Sequence, residues 1–222
     1  MIRNIDIDSL PCLCYGSPTC RKIAYILYPQ SLYEGWVEET AQRYGTAVVA
    51  ITVEDWDDVL TPWPAPGVPA GSPDFKGLAP QFLKRLTDRV IPEAEKAIGL
   101  TGVPERTLVG VSLSGLFTLW QWMECRVFRN IASLSGSFWY SGFMEWFAGR
   151  ELPRDTGKAF FLLGRQEPHS PVKDFRSVGE NTTRIVGLMQ DAGIDAAFEW
   201  VPGNHYYDPA GRLDLAFRRL FA

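Results

Sequence analysis

One segment of the chain combines residue types and spacing that point to covalent chemistry. Leu108-Val109-Gly110-Val111-Ser112-Leu113-Ser114-Gly115-Leu116 runs from an apolar strand through a turn of small residues into an apolar helix. That is the setting of a nucleophile elbow, in which a sharp turn holds a serine hydroxyl out above the C-terminal edge of a sheet. The backbone N–H of Leu113, at the helix start, would point to where an oxyanion forms. The pattern is Gly-x-Ser-x-Ser-Gly, with Ser114 where a glycine is usual; serine is still small enough for the turn. The competing reading is a strand–turn–helix junction with a purely structural serine.

A serine nucleophile needs a base, because its own pKa is far too high for it to ionise near neutrality. The chain has 2 histidines, His169 and His205. His205 lies in Val201-Pro202-Gly203-Asn204-His205, after the last expected strand and before the last helix, where a sheet hydrolase brings its base. His169 follows the strand at 159–163 and reads as a loop histidine at the rim. The acid should follow a strand between serine and histidine. Glu167 is the first carboxylate after Ala159-Phe160-Phe161-Leu162-Leu163, and Asp174 is the next candidate. A second oxyanion donor is expected from the loop after the strand at 22–28. Pro29 has no N–H, so Gln30 or Ser31 is the candidate. Trp63, Trp139 and Trp146 fall near the same sheet edge; Trp63 and Trp139 are the expected walls of an acyl or alcohol pocket.

These residues need a scaffold, and the apolar patterning supplies one. The opening Met-Ile-Arg-Asn-Ile-Asp-Ile-Asp alternates and reads as a strand, not a signal peptide. Residues 22–28, 46–53, 107–111, 130–134, 159–163 and 196–201 read as further strands. Several are continuous apolar runs, as in a parallel sheet covered on both faces. Helices are expected at 34–44, 80–99, 114–125, 142–149, 176–192 and 210–221. In the second of these Phe82, Leu86, Val90, Ala94 and Ile98 share one face, and Pro92 should kink or restart the helix. Strands alternating with helices imply right-handed crossovers and a three-layer α/β/α sandwich around a mostly parallel sheet. The proline-rich stretch 57–80 reads as a long loop inside one domain spanning 1–222, with no large cap domain.

Composition narrows the function classes. Lys plus Arg is 22 and Asp plus Glu is 26 over 222 residues, so the net charge is −4. No basic stripe is present for nucleic acid, and no apolar run approaches the roughly 18 residues of a membrane span. Cys12, Cys14 and Cys20 cluster without a second metal knuckle, and Cys125 stands alone, so free thiols are expected and no metal site. A cytoplasmic protein is expected, and the oligomeric state is open.

Five segments together resemble the esterase D, enterobactin-esterase and feruloyl-esterase-like branch of the α/β-hydrolase fold. They are Asp55-Trp56 with Thr61-Pro62-Trp63-Pro64-Ala65-Pro66; Gly110-Val111-Ser112-Leu113-Ser114-Gly115; Leu134-Ser135-Gly136-Ser137-Phe138-Trp139; Leu163-Gly164-Arg165-Gln166-Glu167; and Phe198-Glu199-Trp200 with Gly203-Asn204-His205. The resemblance spans roughly residues 22–220. It implies Ser112 as nucleophile, Glu167 as acid and His205 as base, in a serine esterase that needs no cofactor and acts on a small-molecule ester. Ser114 is the departure from the family pattern. Two rivals stand beside this expectation: an acyltransferase on the same triad, and a non-catalytic ligand-binding homologue.

Overall fold

The computed structural model describes residues 2–153 and 157–222; Met1, the first residue of the alternating opening, lies outside them. The chain begins with a hairpin, β1 (Arg3–Ile7) and β2 (Leu10–Tyr15), which pair antiparallel. Asp8 and Ser9 join them, with φ of 51° and 60°. Positive φ at both central residues is the mark of a type I′ turn, whose twist matches the strands it joins. The patterning at 10–15 had not revealed β2. Its Cys12 and Cys14 are buried against the sheet.

Next come β3 (Lys22–Tyr28), α1 (Glu34–Tyr44), β4 (Ala47–Thr52) and a short α2 (Trp56–Val59). The proline-rich segment then packs onto the same core through Leu60, Ala65 and Phe75. The helix expected over 80–99 is α3 (Ala79–Arg85) followed by α4 (Ile91–Ile98). A π-helical turn, Leu86–Val90, joins them, with Ile91 N–H bonded back to Leu86 C=O. Pro92 has no N–H to donate into the preceding turn, and the wider ring absorbs the mismatch. The restart foreseen at Pro92 is therefore a bulge in a continuous rod.

The rest alternates: β5 (Glu105–Val111), α5 (Leu113–Glu124), β6 (Asn130–Leu134), α6 (Phe143–Ala148), β7 (Ala159–Gly164), α7 (Val178–Asp191), β8 (Ala196–Val201) and α8 (Pro209–Phe221). The eight strands form one sheet in the order β1-β2-β4-β3-β5-β6-β7-β8. β2 pairs antiparallel with both β1 and β4, and all the other neighbours pair parallel. One face is covered by α1 and α8 through Val37, Ala41, Leu213 and Phe217. The other is covered by α3, α4, α5, α6 and α7. This is the expected three-layer sandwich. Its consequence for chemistry is that β5, β6, β7 and β8 all deliver their following loops to one edge.

Candidate active site

The turn after β5 is strained where a nucleophile would be. Ser112 has φ 55° and ψ −123°, a conformation that non-glycine residues rarely adopt. Two neighbours make the turn possible. A Cβ on Gly110 would lie 2.1 Å from Ser114 C=O, and one on Gly115 would lie 2.8 Å from Ser133 Oγ, so glycine at both lets α5 press against β5 and β6. Ser114, the departure from the motif, is buried. Its hydroxyl accepts from Val111 N–H at 2.7 Å and lies 2.9 Å from the carbonyls of Leu27 and Val111, to which it can donate. Ser112 C=O accepts from Ser137 N–H, and its own N–H donates to Leu134 C=O. The elbow is thus tied to β6 on both sides. Leu113 is the first residue of α5, so its N–H has no acceptor within the helix.

Glu167 and His205 meet at the next two strand ends. His205 Nδ1 is 2.9 Å from Glu167 Oε2. The carboxylate is buried, and its other oxygen takes Gly164 N–H at 2.7 Å, Ser135 Oγ at 2.7 Å and Arg212 Nη1 at 3.0 Å. Burial pushes the Glu167 pKa up. The hydrogen bonds from His205 and Ser135, the charge of His205 and the Gly164 amide outweigh it, and the carboxyl is held below its ordinary value. The His205 side chain is one-third exposed and opens onto a cavity.

That cavity has a volume of about 670 Å³ and is lined by Ser112, Glu167 and His205 together. Trp139, Val172, Phe175 and Val178 form its apolar wall, with Ser135, Ser137 and Asn204 as further polar lining. Trp139 packs against Phe175 with ring centroids 4.5 Å apart and planes tilted by 42°. The Ser112 hydroxyl has Ser137 Oγ as its neighbour at 3.4 Å. Among the described residues, no hydrogen bond joins it to His205. Such bonds are often long before substrate binds and tighten with it.

Other expected site residues lie elsewhere. Trp63 does not line the cavity. Its indole N–H donates to Ser141 C=O at 2.9 Å, and its ring packs on Phe143 and Trp146. Gln30 is exposed and is not among the residues that line the cavity. Asp174 is exposed, on a 3₁₀ turn Lys173–Ser177, away from His205. His169 does line the cavity but is not paired with Glu167. Burial pushes the thiols of Cys12 and Cys14 up to about 12, which removes them as thiolate nucleophiles. Among the described residues, no group of three or more His, Cys, Asp or Glu is arranged to hold a metal. No helix among them is long and apolar enough to cross a membrane.

Sequence reasoning missed Arg212 and Ser135. Arg212 reads as a polar position on an amphipathic helix, and Ser135 as one of several small residues in a turn. The available signal was an arginine on the turn of α8 that starts just after the histidine loop.

No protein-family model matches the chain. The uncharacterized protein YbbA of Bacillus subtilis (strain 168) is 28% identical over 178 residues, which cover 77% of this chain and 71% of that protein. Among solved structures, an IroE-like serine hydrolase from Shewanella oneidensis superposes with a TM-score of 0.78 at 15% identity, covering 100% of this chain and 80% of the other. The siderophore hydrolase EstA from Aspergillus nidulans gives 0.78 at 15% identity, over 99% and 93% of the two chains. The enterobactin and salmochelin hydrolase IroE gives 0.72 at 16% identity, over 100% and 94%. The fold is that of the α/β hydrolases.

Proposed function

We propose that this chain is a serine hydrolase that cleaves a small-molecule carboxylic ester through an acyl-enzyme on Ser112. One observation carries the reading: a strained serine at a strand–helix elbow shares a cavity with a histidine bonded to a buried carboxylate. His205 Nε2 takes the Ser112 proton as Oγ attacks the ester carbonyl and a C–O bond forms. Leu113 N–H receives the oxyanion. The tetrahedral adduct then collapses, the C–O bond to the alcohol breaks, and His205 gives its proton to the departing alkoxide. Water next loses a proton to His205 and attacks the acyl carbon. The carboxylic acid leaves, and Ser112 regains its proton. Glu167 stays ionised throughout, fixes the imidazole tautomer and stabilises the imidazolium.

The apolar wall of Trp139, Phe175, Val172 and Val178 gives the cavity its affinity for the organic part of the ester. Several neighbours in fold are named as siderophore hydrolases, so siderophore esters belong in the substrate panel beside simple aryl and alkyl esters. The buried thiols of Cys12 and Cys14 suit a reducing compartment such as the cytoplasm.

The test is fluorophosphonate labelling with intact mass and peptide mapping of wild type, Ser112→Ala and His205→Ala. A stoichiometric adduct on Ser112, lost in both variants, is expected. Hydrolysis of the best ester should fall by a factor on the order of 10⁵–10⁶ in Ser112→Ala. A folded wild type that takes no adduct would remove the serine-hydrolase reading. Acyl transfer to added alcohols in preference to water would reassign the same triad to an acyltransferase.

A further inference from the structure

The buried polar cluster behind His205 holds a guanidinium that the proposed reaction does not use. Arg212 is 4% exposed, on the first turn of α8. Nη1 donates to Glu167 Oε1 at 3.0 Å and to Ser135 Oγ. Nη2 donates to Asn204 C=O at 2.6 Å, the peptide that leads into His205. One planar group thus grips the acid's side chain and the base's backbone together. Its Nε is buried with no hydrogen-bond partner among the described residues. A buried donor left unpaired is costly. The guanidinium is placed for what its two terminal nitrogens hold, not for its own saturation.

The surroundings are shaped to admit it. β7 ends in Gly164, where a Cβ would stand 2.7 Å from Arg212 Nη2 and 2.9 Å from Glu167 Oε1. Ser135 sits at φ 51°, and its hydroxyl reaches both the carboxylate and the guanidinium. All three extra donors converge on Oε1, which leaves Oε2 to the imidazole.

We propose that Arg212, with Ser135, is the positioning residue of the acid–base pair: it locks Glu167 through Oε1, fixes the His205 loop through Asn204 and offsets the carboxylate charge. The mechanistic half rests on the serine-hydrolase reading above. Offsetting the charge has a sign that can be measured. A cation beside the carboxylate weakens its hold on a proton, so removing that cation should move the pH profile of labelling to higher pH. The titratable and charged groups around His205 are Glu167 on the turn after β7, Arg212 on α8, Tyr206 beside it and His169 in the same cavity.

Two readouts separate positioning from mere structural support. The chain has only 2 histidines, so ring NMR can follow His205 directly, assigned by loss of the other signal in His169→Asn. The second readout is the rate of fluorophosphonate labelling against pH. In Arg212→Met both midpoints should move to higher pH, and labelling at neutral pH should slow. Ser135→Ala keeps the arginine, removes one donor to Oε1, and should move both midpoints the same way by less; it carries the test if Arg212→Met does not fold. Midpoints that match wild type in the folded variants, whatever the rate, would overturn the proposal. A wild type that takes no adduct, with a His205 midpoint that still rises in the variants, would overturn the Ser112 reading and leave the Arg212 assignment standing.

Discussion

A half-buried glutamate–arginine pair and a buried one brace this sheet, and they are wired differently. Glu95 on α4 takes Nε and Nη2 of Arg106 at 2.6 and 2.9 Å, one on each oxygen, and Tyr25 O–H at 3.0 Å. Burial pushes the Tyr25 phenol well above its ordinary range, so it remains a donor. The cluster ties α4 to β3 and β5 and has no face on the cavity. Glu167 instead crowds three donors onto Oε1 and gives Oε2 to a ring that faces the cavity. The first carboxylate is closed; the second is held on one side and open on the other. The same ion pair closes on itself in one place and leaves one oxygen for a cavity-facing ring in the other.

Neutralising each carboxylate breaks the comparison most sharply. Glu167→Gln should lower the labelling rate, and any ester hydrolysis, by roughly 10⁴, because the amide cannot hold the histidine tautomer. Glu95→Gln should leave the rate per folded molecule within about twofold of wild type. A comparable loss in both would mean that the two clusters do not differ in role. The next effect is on stability. Glu95→Gln strips the charge partner from a half-buried Arg106 and should cost about 1–2 kcal/mol. Urea unfolding at unchanged m-value would read it.

The contrast recurs within the elbow, between two serines two residues apart. Ser114 commits its hydroxyl to backbone groups of β3 and β5, whereas the Ser112 hydroxyl has one side-chain neighbour at 3.4 Å. Ser114→Ala should therefore cost about 1–2 kcal/mol of stability and change the labelling rate little. The spacing of residues 108–116 made both serines visible in the sequence, but only the fold separates the structural hydroxyl from the free one. The strands and helices were legible for a similar reason, since apolar runs and four-residue periodicity are local. The β2 strand was not, because Leu10–Tyr15 interrupts its apolar residues with Pro11. The meeting of Glu167 with His205 was legible because each follows a strand that the pattern reveals. Arg212 and Ser135 were not, since their role depends on where α8 returns beside β6, which no local spacing encodes. Trp63 was misplaced for the same reason. Its position near a strand edge says nothing of which way the indole turns, and the indole N–H is taken by Ser141 C=O.

The smallest effect concerns acid pH, and it tests whether the open carboxylate is ionised at all. Burial alone would raise the Glu167 pKa, and its hydrogen bonds with His205 and Ser135 bring it below the ordinary value of 4.5. A carboxyl lowered in the folded state adds stability that is fully present above its unfolded value and disappears as pH falls through the folded one. The stability gap between wild type and Glu167→Gln should accordingly be flat above about pH 4.5 and shrink as the solution is acidified further. Chemical unfolding at closely spaced pH values would resolve it. A gap that begins to close well above pH 4.5 would mean that burial dominates and that Glu167 takes up a proton near neutrality. A protonated acid no longer presents a charge to an imidazolium, so that outcome would also undo the part proposed for it above. The sign of this small pH effect therefore bears on the same question as the largest rate effect.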